Sequence, residues 1–164
     1  MNTTRRKTAE GWIEKAGNQL RAAEDHLQSF RYSEAIEAAQ ECVELSVKSM
    51  LSLLEIEYEL KHKWDWEEFT DIAKQIERRQ ILEKAAEENL YYCSRLPRLL
   101  LLANLWGDFY LPAKYGFAQY LAPAKDLFEK QEAELAVEHA GECHRAASEV
   151  RYLNREKLAI LLAR

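Results

Sequence analysis

Residues 33–54 read SEAIEAAQECVELSVKSMLSLL, and this stretch decides the fold. Its apolar side chains recur at spacings of three and four residues, which places them on one face of an α-helix. They are Ile36, Ala39, Val43, Val47, Met50 and Leu54. Ser33 stands where an N-cap belongs, and acidic side chains follow it near the positive end of the helix dipole. The pattern predicts a long amphipathic helix from Ser33 to about Tyr58.

The same period runs through the stretch before it. It predicts a helix that begins near Thr3 or Thr4 and ends near Ser29. A short link, Phe30–Tyr32, separates the two helices. Two long amphipathic helices with so short a link form an antiparallel hairpin. The apolar face of the first helix is Trp12, Ala16, Leu20, Ala23, Leu27 and Phe30.

Further helices are predicted downstream, and no stretch alternates regularly enough to indicate a strand. Asp65 is placed to cap one helix, and Pro97 suits the first turn of another. The sequence therefore predicts one all-α domain over residues 1–164, an antiparallel up-and-down bundle of four long helices with one or two short ones. The predicted downstream segments are 66–77, 81–93, 97–109 and, after an irregular stretch over 110–123, a last helix that reaches Leu162.

The composition is that of a globular protein, with 48% apolar and 31% charged residues. The five glycines and three prolines favour long helices, and neither glycine-rich phosphate loop, GxxxxGK[ST] or GxGxxG, occurs. Because no apolar run approaches the ~18 residues of a membrane span, we expect no membrane contact. The net charge of −5 argues against a general affinity for polyanions. Any nucleic acid would therefore bind at a local patch.

The cysteines and histidines bear on compartment and metal binding. Cys42, Cys93 and Cys143 are an odd number without CxxC spacing, which fits a reducing compartment. No apolar segment of a signal peptide follows the polar N-terminus. His139 and Cys143 share a helix face, but two ligands are half a zinc site, and no second pair completes it. We therefore predict a cytoplasmic protein without a metal or a cofactor.

Four pieces of the chain, in order, resemble one family. The first is Phe30–Ala35, the entry into the quoted helix. The second is the run Ala39–Leu51 within that helix, followed by His62. The third, Tyr110–Gly116, resembles the Y-x-P-x-R-Y-G/P stretch of prokaryotic members, and the fourth is the alanine-rich run Glu132–Ala140. Together they resemble the HEPN domain (higher eukaryotes and prokaryotes nucleotide-binding).

The resemblance implies a helical bundle that is often dimeric. Family members are commonly encoded beside a minimal nucleotidyltransferase in toxin–antitoxin pairs. Many are metal-independent ribonucleases that use an R-x4-6-H motif, and others are non-catalytic modules that bind RNA or a nucleotide. The resemblance alone does not choose between these functions. Its pieces span nearly the whole chain, although residues 76–92 match none of them.

The ribonuclease motif is not found where the resemblance expects it. Lys114 stands at the position of the family's arginine, and no histidine follows it in the required window. Lysine is a point charge and lacks the planar fork that clamps a phosphate. The one match elsewhere, Arg21 with His26, would place the two side chains about 140° apart around a helix. We therefore predict a module that binds its ligand without cleaving it.

The predicted ligand site consists of Glu44, Lys48, His62, Lys114 and Tyr115, which would bind a nucleotide or an RNA phosphate. Cationic side chains suit a phosphate, and tyrosine suits a base. That these residues meet in space follows from the family's bundle. Glu44 and Lys48 also fit a plain i, i+4 ion pair on a helix surface. His62 also fits a loop histidine that bonds to a helix end.

Two other functions remain open. The first is a metal-independent ribonuclease toxin whose histidine is His62 or His144. The second is a scaffold that binds another protein and no ligand. As partners we expect a second copy of the chain and, from the resemblance, a nucleotidyltransferase. Basic side chains of the last helix, Arg145 among them, either complement the helix dipole or form a patch for RNA or an acidic partner.

Overall fold

The computed structural model describes residues 3–117 and 122–163, and helices make up its regular elements. An isolated antiparallel bridge joins Phe117 to Ala122. The prediction of an all-α bundle is confirmed. Within the described ranges, no helix is both long enough and apolar enough to cross a membrane. The helices are α1 (Thr3–Gln28), α2 (Tyr32–Leu53), α3 (Trp66–Arg78), α4 (Ile81–Glu87), α5 (Leu96–Gly107), α6 (Tyr110–Tyr115), α7 (Lys130–Arg151) and α8 (Arg155–Leu162).

The centre of the bundle is formed by α1, α2 and α7, which pack along one another. Small side chains on their facing sides let the helix axes approach closely. Gly17 of α1 extends this contact, because a Cβ there would lie 3.1 Å from Nε2 of His144 on α7. Buried alanines at these interfaces are Ala9, Ala16, Ala23, Ala35, Ala39, Ala133, Ala136, Ala140 and Ala147.

The hairpin of α1 and α2 forms as predicted, but the ends of α2 differ from the prediction. The helix begins at Tyr32, so Ser33 lies inside its first turn and makes no cap hydrogen bond. It ends at Leu53, well before the predicted Tyr58. Glu55 there adopts a left-handed conformation with φ of 54°, which stops the helix.

The predicted last helix is divided in two. α7 ends at Arg151, and the side chain of Asn154 accepts a hydrogen bond of 2.8 Å from the N–H of Lys157. This cap starts the separate helix α8. The stretch predicted as helical over 81–93 is likewise cut short, because Asn89 turns left-handed with φ of 58°.

The prediction that residues 110–123 are irregular is wrong in its first part, where α6 forms. Pro112 lies in the first turn of α6, where its missing N–H costs no hydrogen bond. Gly116, with φ of 70°, ends the helix. The described chain thus has three short helices, α4, α6 and α8, in place of one or two. Phe30, predicted on the apolar face of α1, has φ of 58° and an exposed ring.

Two local predictions around the 54–65 loop are confirmed. Asp65 caps α3: its side chain accepts from the N–H of Glu68 at 3.0 Å, and its own N–H donates to the Glu68 carboxylate at 2.8 Å. Pro97 lies in the first turn of α5. The 54–65 loop therefore passes between the capped end of α3 and the side of α5.

Candidate functional site

The loop that carries His62 is held against α5 by two hydrogen bonds, and a third lies within the loop. The N–H of Trp64 donates to the Asn104 side chain at 3.1 Å, and the Asn104 amide donates back to the Trp64 carbonyl at 3.0 Å. The buried Trp64 indole donates to the Glu59 carbonyl at 3.0 Å. Gly107, at the end of α5, lets the loop approach, because a Cβ there would lie 2.8 Å from the His62 carbonyl oxygen. The position of His62 is therefore set by packing.

Glu44 of α2 is the hub of the site. Its carboxylate accepts hydrogen bonds from Lys48 Nζ at 2.6 Å, from His62 Nδ1 at 2.7 Å and from the Gln40 amide at 3.0 Å. Burial alone would raise the pKa of Glu44, but the hydrogen bonds from Lys48 and His62 outweigh it and hold the pKa below its ordinary value. Glu44 is therefore an ionised acceptor that orients the side chains of Lys48 and His62.

His62 is fixed from two sides. Because a carboxylate only accepts, the Nδ1 of His62 carries the proton and donates to Glu44. The imidazole ring stacks on Tyr110 of α6, with 4.4 Å between the ring centroids and 13° between the planes. Nε2 is the ring nitrogen left for a ligand. A histidine held in this way presents one nitrogen at a defined place.

Lys114 also lies against Tyr110. Its Nζ is 3.4 Å from the Tyr110 hydroxyl and 5.3 Å from the centroid of that ring. The ring centroid of Tyr115 is 5.6 Å away, and Glu37 of α2 is 3.9 Å away. The hydrogen bond to Tyr110 and the nearby anionic groups raise the pKa of Lys114. The lysine is therefore a fixed positive charge between two aromatic rings.

These side chains enclose a cleft of about 340 Å³ between α1, α2 and α6. Of the five residues predicted from the sequence, Glu44, His62 and Lys114 line it. Lys48 lies behind Glu44 with its side chain only 8% exposed, so it supports the cleft without facing it. Tyr115 is exposed beside Lys114 and does not line the cleft. The other lining residues are Lys15, Glu37, Gln40, Glu41, Leu45 and Tyr110.

The charges of the cleft are balanced. Lys15 of α1 forms an ion pair with Glu41 at 2.5 Å, and Glu44 is satisfied by its three donors. Glu37 lies at the edge of ion-pairing distance from Lys114. Sequence reasoning missed Lys15, although its place on the α1 hairpin could have suggested that it faces α2. It also missed the stacking of Tyr110 on His62, which the spacing of residues does not reveal.

The pair Arg21 and His26 is not brought together. Arg21 hydrogen-bonds to Asn18 and lies over Gly17 beside His144, on the side of α1 that faces α7. His26 lines a separate depression beside Glu34 of α2. The two side chains point to different neighbours, as their separation along the helix predicts.

His139 and Cys143 also have separate surroundings. His139 Nδ1 accepts a hydrogen bond of 3.1 Å from the Trp106 indole. Cys143 is buried in the core, and burial raises the pKa of its thiol far above the ordinary value. Among residues 3–117 and 122–163, no three side chains of His, Cys, Asp or Glu are grouped as metal ligands.

Comparison with known proteins gives one match. The family model of the HEPN domain matches residues 9–150. The chain belongs to the HEPN domain family. No curated protein and no solved structure matches the chain. The HEPN match spans α1 to α7, so the whole cleft lies inside the HEPN domain, whereas α8 lies beyond it.

Proposed function

We propose that the cleft of this HEPN domain binds a nucleotide or an RNA phosphate group without cleaving it. The observation that carries the proposal is the row of His62, Tyr110 and Lys114. An oriented ring nitrogen and a lysine ammonium both lie against one aromatic ring there. A phosphate in the cleft would accept a hydrogen bond from Lys114, and a second from Nε2 of His62 when the imidazole carries a proton on each nitrogen. The exposed ring of Tyr115, beside Lys114, offers a surface on which a base can stack.

The balanced charge of the cleft shapes what it would bind. Because its carboxylates are paired, the cleft is no general polyanion site, which agrees with the net charge of −5. Glu37, at 3.9 Å from Lys114, makes the weakest of these pairs. A single phosphate group would displace Glu37 from Lys114 at little cost. We therefore expect affinity for a mononucleotide or one RNA phosphate.

A nucleotide titration tests this proposal. Binding of AMP, UMP and inorganic phosphate would be followed by calorimetry for the wild type, Lys114→Ala and His62→Ala. We expect each variant to lose about tenfold in affinity, since each removes one charge-assisted hydrogen bond. Lys130→Ala is the matched control. Lys130 is an exposed lysine that lies away from the cleft and forms an ion pair of 3.0 Å with a glutamate. Equal affinities for Lys114→Ala and the wild type would contradict the proposal.

The Glu44–His62 pair also favours a second candidate function, a metal-independent ribonuclease. A carboxylate that orients a histidine through Nδ1 leaves Nε2 as a general base or acid, which is the arrangement used in many catalytic sites. RNA and tRNA would be incubated with the protein in EDTA, beside His62→Ala and His26→Ala. Cleavage that His62→Ala abolishes and His26→Ala keeps would select the ribonuclease. Intact RNA together with nucleotide binding would support the module that binds its ligand without cleaving it.

The assembly of the protein is part of the same proposal. We propose a homodimer, and a nucleotidyltransferase as its partner, in a cytoplasmic toxin–antitoxin pair. Exposed Leu101 and Leu105, one turn apart on α5, support a protein–protein contact. Light scattering of the wild type and Leu101→Glu would test the dimer. A chain that binds no nucleotide, cleaves no RNA and still dimerises would instead be a scaffold.

A further inference from the structure

A second polar surface lies where the segment after α4 meets α7, and it shares no residue with the cleft. The rings of Tyr91 and Tyr92 meet edge to face there, with 5.0 Å between their centroids. Arg95 donates to the Tyr91 hydroxyl at 2.6 Å, and its guanidinium lies 5.1 Å from the centre of that ring. Arg145 of α7 donates to the Tyr92 hydroxyl at 3.1 Å and lies 6.0 Å from that ring. We call these four residues the Arg–Tyr surface.

A buried carboxylate holds one side of this surface in place. Glu142 accepts two hydrogen bonds, of 2.9 and 3.0 Å, from the guanidinium of Arg98 on α5, and Arg95 lies 3.4 Å from it. Glu149, the next carboxylate along this side of α7, accepts from the N–H of Cys93 at 2.8 Å. The acidic groups are thus engaged within the fold, while the arginines reach solvent.

The aromatic side of the surface is open. Tyr91 is 60% exposed although both of its neighbours, Tyr92 and Arg95, hold it in one orientation. Beside it lies an open depression of about 200 Å³, lined by Ala86, Asn89, Leu90, Tyr91 and Ser94. An exposed, fixed aromatic ring next to a shallow pocket is a platform for a flat group.

We propose that the Arg–Tyr surface binds single-stranded RNA. Single strands are recognised by aromatic rings that stack on unpaired bases and by arginines that contact the phosphates and bases between them. Tyr91 supplies the stacking ring, and Arg95 and Arg145 supply cations at the same surface. An acidic peptide would need the arginines alone and would leave the exposed ring unused. The observations therefore favour RNA.

The proposal does not depend on the cleft. A mononucleotide in the cleft would contact His62 and Lys114, whereas a strand on the Arg–Tyr surface would contact α7 and the segment before α5. The surface would also let a chain with a net charge of −5 bind RNA, because its cations are gathered in one place. It lies partly in residues 76–92, which hold none of the four pieces of sequence resemblance, although the HEPN family model spans them.

The test is fluorescence anisotropy with a labelled single-stranded RNA of about 12 nucleotides. We expect Tyr91→Ala to weaken binding by about fivefold or more, since it removes one stacked base. Arg145→Ala should weaken binding and lower the slope of log affinity against log salt by about 1. The matched controls are Tyr152→Ala and Arg151→Ala, because Arg151 lies 5.5 Å from the exposed Tyr152 ring elsewhere on the molecule. These should stay within about twofold of the wild type.

Mapping by ultraviolet crosslinking and mass spectrometry provides a second measurement. Crosslinks at Tyr91 or Tyr92 support the proposal, and they should persist in Lys114→Ala. No RNA binding, equal losses in the control variants, or crosslinks confined to Tyr110 and Tyr115 would overturn it. So would a polyglutamate peptide whose binding depends on Arg145 while RNA binding does not, because the surface would then belong to an acidic protein partner. Circular dichroism of each variant shows that the loss is not one of folding.

Discussion

The cleft and the Arg–Tyr surface are each built on one carboxylate that serves two cations. In the cleft, Glu44 accepts from Lys48 and His62. Beside the Arg–Tyr surface, Glu142 holds Arg98 and Arg95. The two carboxylates differ in how far their partners are exposed to solvent. The Lys48 side chain is 8% exposed, whereas that of Arg98 is 42% exposed. The first carboxylate mainly stabilises a buried charge, and the second mainly displays two charges at the surface.

The histidines near the two carboxylates also differ, in the role that Nδ1 has in a hydrogen bond. His62 donates its Nδ1 proton to Glu44 and stacks on Tyr110. His139, one turn before Glu142, uses its Nδ1 as an acceptor for the Trp106 indole. The hydrogen bond of His62 stays intact when the ring is protonated, whereas protonation of His139 breaks its hydrogen bond.

The largest expected effect on stability comes from the carboxylate whose lysine partner is buried. Glu44→Ala should lower the free energy of unfolding by about 3 kcal/mol, because Lys48 is left buried without its carboxylate. Chemical denaturation would measure this loss. The double variant Glu44→Leu/Lys48→Met, which removes both charges, should recover most of it. A double variant as unstable as the single one would show that Lys48 is not the cause.

A smaller loss is expected from the carboxylate whose cationic partners are exposed. Glu142→Ala should cost about 1–2 kcal/mol, because Arg98 and Arg95 keep their contact with water. The hydrogen bonds from Arg98 hold the pKa of Glu142 below its ordinary value against burial. This carboxylate therefore adds stability above about pH 4.5, and the contribution is lost as the pH falls through its folded pKa. A loss equal to that of Glu44→Ala would remove the contrast between the two regions.

The smallest effect concerns pH near neutrality. Burial, and then the charge of Arg98, lower the pKa of His139, so the unfolded chain takes up the proton first as the pH falls below about 6.5. We expect the melting temperature to drop by about 2–4 °C between pH 7.5 and pH 5.5 from this group. His139→Gln should flatten part of the slope. His144, whose pKa burial also lowers, accounts for the remainder with the same sign. An unchanged slope in His139→Gln would contradict this assignment.

The helices could be predicted where buried apolar side chains recur at a helical period along the chain. The apolar periods of α1, α2 and α7 follow from their central place in the bundle, and the Asp65 cap is a local signal. The break before α8 could not be predicted, because Leu153 and Leu158 continue the apolar pattern across Asn154. Glu55 adopts a left-handed conformation without a distinct signal in the sequence, whereas Asn89 carries only the weak preference of asparagine for that conformation.

The sites divide in a similar way. The resemblance named Glu44, His62 and Lys114, which line one cleft, but spacing does not reveal that Lys48 points behind Glu44. Nothing in the sequence joins Tyr92 to Arg145, because the contact depends on how α7 passes the segment after α4. Contacts between distant segments need the packed bundle, whereas contacts within one helix turn do not.

The geometry of the cleft also depends on Gly107, a residue outside it. A Cβ at this position would meet the His62 carbonyl oxygen at 2.8 Å, and backbone atoms do not yield as a flexible side chain does. A single methyl group added there acts as a wedge that pushes His62 away from Glu44 and Tyr110. Systematic mutagenesis would therefore score Gly107 among the ligand-binding residues, although it offers a ligand no group to hold.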